Sequence, residues 1–143
     1  MARTTFNGPV VSQNGFLEGH QVTAANNAIN ATATATAAQV ATGYITSTSA
    51  AATTITLPTG TLLGKALKAT KGTVFDLFID NTGGASTVTV AVATNGVLST
   101  GAVDAAAAAG TFGDLTIAAG ATGIGRFTIM FSSATAYVFT RTA

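Results

Sequence analysis

Two stretches of this chain alternate apolar and polar residues with period two, and a short glycine-rich link joins them. Residues 73–80 read TVFDLFID, with Phe75, Leu77 and Ile79 on one side and Val74, Asp76, Phe78 and Asp80 on the other. Residues 86–92 read STVTVAV, with Val88, Val90 and Val92 sharing a face. In an extended chain successive side chains point to opposite faces, so each stretch predicts a strand with one buried face. The link Asn81-Thr82-Gly83-Gly84 is turn chemistry, and the pair predicts a β-hairpin.

The same pattern recurs along the rest of the chain. Tyr44-Ile45 and Thr54-Ile55-Thr56-Leu57 mark two short strands, the second ended by Pro58, which has no N–H for a ladder. Residues 59–68, TGTLLGKALK, place Leu62, Leu63, Ala66 and Leu67 at helical spacing and predict one short helix. Asn95-Gly96 signals a turn, and Leu115-Thr116-Ile117 a strand. Residues 97–112, with the alanine run 105–109, fit either a helix or an extended segment. RFTIMF at 126–131 and AYVFTR at 136–141 are closing strands around the turn at 132–135. Phe75, Phe127, Ile129, Phe131 and Phe139 are the expected core. The fold predicted is mainly β: an antiparallel β-sandwich or barrel with an extended N-terminal arm and at most one short helix.

Ahead of the β domain, expected over 42–143, lie two zones. Residues 1–20 form a polar arm punctuated by Asn7-Gly8-Pro9 and Asn14-Gly15, with Phe6, Val10, Val11, Phe16 and Leu17 at no regular period. Such residues either anchor the arm on a neighbouring subunit or pack it on its own domain. Residues 21–41 are a low-complexity connector: 22–29 allow a short helix, and the ATATAT run at 31–36 suits an extended strand.

Composition restricts function more than it restricts fold. There are 30 Ala and 28 Thr in 143 residues, and only 8% of residues are charged, against ~25% in an ordinary domain. Six Lys+Arg oppose five Asp+Glu, for a net charge of +1, which does little to keep molecules apart. This favours a subunit of an assembly and disfavours nucleic acid as a partner, since phosphate binding needs a basic patch. With no cysteine there is neither a disulfide nor a thiolate metal site, and the single His20 excludes a site needing two histidines. No signal peptide or membrane-spanning stretch is evident, so a soluble protein made in a cytoplasm is expected.

The candidates for chemistry are few. Asp76 and Asp80 share a strand face but lack calcium-loop spacing, and read as an outward polar face. Gly60 to Lys65 falls short of a phosphate loop: the glycines are too close together, and Ala66 stands where a Ser or Thr would hold Mg²⁺. Lys65, Lys68 and Lys71 form a basic cluster, read either as a solvated face or as a contact for an acidic patch on a partner. Arg126 and Arg141 fit ion pairs between subunits or the guarding of strand surfaces. No cofactor, metal, membrane or small-molecule substrate is expected, and no enzymatic activity.

The opening MARTTFNGPVVSQNGF resembles that of small virion proteins of tailed phages, especially marine and cyanobacterial ones, with Arg3, Asn7, Gly8, Pro9, Val10, Ser12, Asn14, Gly15 and Phe16 fitting their pattern. The stretches ITSTSAAATTITLPTGTLLGKAL and GTVFDLFIDNTGGASTVTVAV look like the body of the same group. The Thr/Ala-rich connector departs from the Gly-rich form of many relatives. The resemblance implies a capsid decoration or cement protein on the virion exterior, often a homotrimer, whose partner is the major capsid protein lattice. It carries over no catalytic residue. On that reading the contact residues are Arg3, Phe6, Pro9, Val10, Val11, Phe16 and Leu17 of the arm, with Lys65 and Lys68 of the body. The competing reading is a receptor-binding module of a head or tail fibre.

Overall fold

The structure, a computed structural model, describes residues 27–98 and 115–142. Its strands are β1 (Ala33–Thr34), β2 (Tyr44–Thr46), β3 (Thr53–Thr56), β4 (Val74–Asp80), β5 (Val88–Ala91), β6 (Gly96–Leu98), β7 (Thr116–Ile117), β8 (Ile124–Ser133) and β9 (Ala136–Arg141). Two short helices accompany them, α1 (Ala37–Ala41) and α2 (Gly60–Leu67). The expected mainly β body is therefore present, as two sheets ordered β1-β3-β5-β7 and β2-β4-β8-β9-β6.

From β1 to β8 the chain changes sheet at every step. Strands two apart in sequence thus become neighbours running the same way: β1 with β3, β3 with β5, and β2 with β4 are parallel pairs. Among the described residues, antiparallel pairing is confined to β4 with β8, β5 with β7, and β8 with β9. The sandwich is mixed, where the strand pattern alone had suggested antiparallel pairing throughout.

The predicted hairpin between 73–80 and 86–92 does not form, because β4 and β5 lie in different sheets. Asn81 anchors the crossing. It is fully buried, and its Nδ2 donates to the carbonyls of Ser86, Ile117 and Ala118 at 2.9, 3.2 and 3.0 Å. Its backbone N–H donates to Gly123 O. These bonds carry the chain across from one layer to the other. Among the described residues, the one tight hairpin joins β8 to β9 through Ala134-Thr135.

The connector is more structured than its composition suggested. Residues 27–29 run beside β2, with a parallel bridge between Ala28 and Thr46, and β1 extends the other sheet. Ile29, Ala35 and Val40 are buried in the common core. A helix over 22–29 is excluded for its last three residues; the rest of that span lies outside the described residues. Instead α1 starts at Thr36, whose hydroxyl accepts from Gln39 N while Gln39 Oε1 accepts from Thr36 N, a reciprocal cap.

One cluster of buried side chains fills the space between the sheets. From the five-stranded sheet come Ile45, Leu77, Ile79, Phe127, Ile129, Phe131, Tyr137 and Phe139; from the other come Ile55, Val88, Val90 and Ile117. Phe127 and Phe139 stack with centroids 5.0 Å apart. Phe75 is only partly buried, at the cluster's edge. The alternation in β4, β8 and β9 holds up to the register shift between Phe131 and Ser133, so the side chains of these strands that do not face this core face outward on one surface.

Helix α2 rests on the β8–β9 turn through two glycines. A Cβ on Gly64 would lie 2.0 Å from Ala134 O, and one on Gly60 2.3 Å from Thr135 O. Leu63 points inward, whereas Leu62, expected on the same apolar side, is 57% exposed.

Candidate functional site: the outer face of the five-stranded sheet

Six large apolar side chains stay exposed on one surface: Tyr44, Val74, Phe78, Val97, Ile124 and Met130. The strand register arranges them in rows across the sheet. Val97 pairs with Val138, Val138 with Met130, and Met130 with Val74, making an apolar row through four strands. The next row is polar, Thr140, Thr128 and Asp76. Beyond it Arg126 pairs with Phe78 and Phe78 with Tyr44, and last come Ile124, Asp80 and Thr46. Together they make an apolar surface, crossed by one polar row, of the size that on a monomer is often functional.

The polar groups on this face are held by one another. Arg126 forms an ion pair with Asp76, and its guanidinium lies 5.7 Å from the centre of the Phe78 ring. Thr128 Oγ1 donates to the other carboxylate oxygen of Asp76 at 2.8 Å. The bonds from Arg126 first, then Thr128, hold the Asp76 carboxyl below the usual carboxylate range. Asp80 is lowered by the Thr82 hydroxyl and by the Tyr44 hydroxyl, which donate to its two oxygens. In return the bond to Asp80 raises Tyr44. Tyr137 contrasts with Tyr44: it is buried, donates to Pro58 O at 3.0 Å, and is pushed up to about 12 by burial.

Of the residues singled out for partner contact, Arg3, Phe6, Pro9, Val10, Val11, Phe16 and Leu17 lie outside the described residues, as does His20. Lys65 and Lys68 are exposed on α2 and at its end. Lys68 is also the helix C-cap, in the left-handed region at φ 51°, with its N–H bonded to Gly64 O and Lys65 O. Lys71 is exposed in the turn before β4. The arginines part company. Arg126 pairs within its own sheet, while Arg141 is buried, donates to Thr116 O at 2.7 Å, and lies 6.0 Å from the Phe127 ring centre. Arg141 thereby ties the last strand of one sheet to β7 of the other.

Sequence reasoning missed a second apolar feature. A pocket of about 360 Å³ opens between the starts of α1 and α2, lined by Thr36, Ala37, Pro58, Thr59, Leu62 and Ala93 among others. Leu62, which turns outward, is part of its wall. Among the described residues, no group of three or more His, Cys, Asp or Glu is placed to hold a metal ion, and no helix is long and apolar enough to cross a membrane.

No protein-family model, no curated protein sequence and no solved structure matches this chain.

Proposed function

We propose that this protein is a structural component of a tailed-phage virion, a decoration or cement protein that covers the capsid exterior and stabilises the lattice of the major capsid protein. The observation that carries this reading is the outer sheet face, where six large apolar side chains stand exposed on a chain with almost no net charge. Such a surface gains by being covered, and its internally paired Asp76, Arg126 and Asp80 are pre-ordered for contact. The N-terminal motif of residues 3–16 supports the phage assignment by resemblance. In this role the protein performs no bond-making. It binds the assembled lattice in preference to free subunits, and so stabilises the lattice by mass action.

The test is binding to purified heads that lack the protein, comparing the full chain with one missing residues 1–20. The full chain is expected to saturate at a copy number that scales with the lattice, and the shortened chain to bind much more weakly while still folding. Absence of binding to heads refutes the proposal, and a few copies at a single vertex would assign the chain to a fibre instead.

A further inference from the structure

Opposite charge flanks the outer face, in the segment ahead of β4 on one side and at the last residue of β4 on the other. Lys71 lies three residues before Val74, the first residue of β4, and Lys65 and Lys68 of the α2 region lie toward that same end of the sheet, because Gly64 backs onto the β8–β9 turn and Gly72 N–H bonds to Phe131 O. At the far end of β4, Asp80 takes its hydrogen bonds from Tyr44 and Thr82, neither of them a cation. Between the ends lies the self-neutralising pair of Asp76 and Arg126.

We propose that two copies of this chain pair through the outer faces of their five-stranded sheets, with the strands of one copy antiparallel to those of the other. Laid together with strands parallel, the faces would set lysines against lysines and Asp80 against Asp80. Turned antiparallel, the lysine end of each copy meets the Asp80 end of the other. A two-fold axis crossing β4 between Asp76 and Phe78 then places Met130 of each copy over the other copy's Ile124. It also brings each Arg126 level with the other copy's Thr128, next to its Asp76. The contact is isologous, so every favourable pairing occurs twice.

Area sets its strength. The six exposed apolar side chains offer on the order of 500 Å² per copy, at the upper end of what a monomer leaves open. Two such faces together bury on the order of 1,000 Å², the lower limit for a specific interface, so the pairing is weak and reversible. It is formed where copies are crowded, as on any assembly, and does not depend on that assembly being a capsid.

Sedimentation of the full chain over a wide concentration range tests this. The smallest species is expected to double in mass as concentration rises, and less readily at high salt. Met130→Lys and Ile124→Lys are each expected to weaken doubling by about tenfold or more, as for central contacts of an interface. Lys71→Asp and Asp80→Lys should each weaken it, and the two combined should restore it, because only the antiparallel arrangement turns the lysine end of one copy toward the Asp80 end of the other. Circular dichroism and the urea midpoint of each variant confirm that the fold is retained. The proposal is overturned if the mass never doubles, if doubling ignores Met130→Lys, or if the combined charge exchange is no better than either change alone. Doubling that appears only after residues 1–26 are removed also overturns it, since the chain would then be covering its own face. Head binding is measured separately, so an unaltered chain that never doubles yet occupies heads normally refutes this inference and leaves the functional proposal standing.

Discussion

Replacing Asn81 probes the clasp that sends the chain from one sheet to the other. The side-chain amide has two N–H groups serving three carbonyls, and its Oδ1 finds no partner among the described residues. Asn81→Ala takes the side-chain donor from the buried carbonyl of Ile117, which costs about 1–3 kcal/mol. The bonds to the part-buried carbonyls of Ser86 and Ala118 add about 0.5–1.5 kcal/mol each. Removing the orphaned Oδ1 returns about 1–3 kcal/mol, so the net loss expected is about 1–3 kcal/mol. Asn81→Asp sharpens the test. It keeps the shape but turns oxygens toward three carbonyls, so burial and repulsion raise the carboxyl above its unfolded value. A raised carboxyl stabilises the fold only while protonated, and that stability is lost as pH rises through the folded value. The Asp variant should therefore be less stable than the Ala variant at neutral pH and recover toward it as pH falls. Urea unfolding of both variants against the parent at several pH values reads this directly. A loss below ~0.5 kcal/mol for Asn81→Ala, the usual scatter of surface changes, or a pH-independent deficit for Asn81→Asp, would refute the argument.

Three further outcomes follow from packing and from charge. Gly64→Ala puts a Cβ 2.0 Å from Ala134 O, a backbone atom that cannot rotate aside, so a loss of about 1–3 kcal/mol or more in urea unfolding is expected. Asp76 and Asp80 are both held low, so their contribution to stability is present above the unfolded carboxyl range and is lost as pH falls through their folded values. Arg126→Ala should move Asp76 upward toward its ordinary value in an NMR titration and leave Asp80 unmoved; the effect on stability stays small because both groups are solvated.

Much of this architecture was legible because it depends on local alternation. Phe127, Ile129, Phe131 and Phe139 fall inside and Arg126, Thr128 and Met130 outside, as period two dictates, and Pro58 follows the end of β3. What local pattern could not carry is which sheet a strand joins. A glycine-bearing link of residues 81–87 suits a hairpin or a crossing equally well, and only the burial of Asn81 decides between them. The first helix escaped notice for a different reason. Its capping residues, Thr36 and Gln39, sit inside an Ala/Thr run whose composition favours strands, so a four-residue signal was outweighed by its surroundings. Tyr137 was overlooked because a phenol usually seeks water; here the carbonyl of Pro58 replaces it. The candidate face was half visible: Val74 and Phe78 read as outward from the sequence, but their alignment with Met130, Val138 and Val97 is a matter of register between strands far apart in the chain.

Because successive strands belong to opposite layers, no two neighbours of the same sheet follow one another directly before β8 among the described residues. Each ladder must wait for a loop to close around an intervening strand, and that entropic toll comes before any reward. Such a chain should fold slowly and as a unit, without a stable half. A nascent or nicked fragment would expose bare strand edges on both layers, so completion of the closing hairpin acts as the step that commits the molecule to its native form.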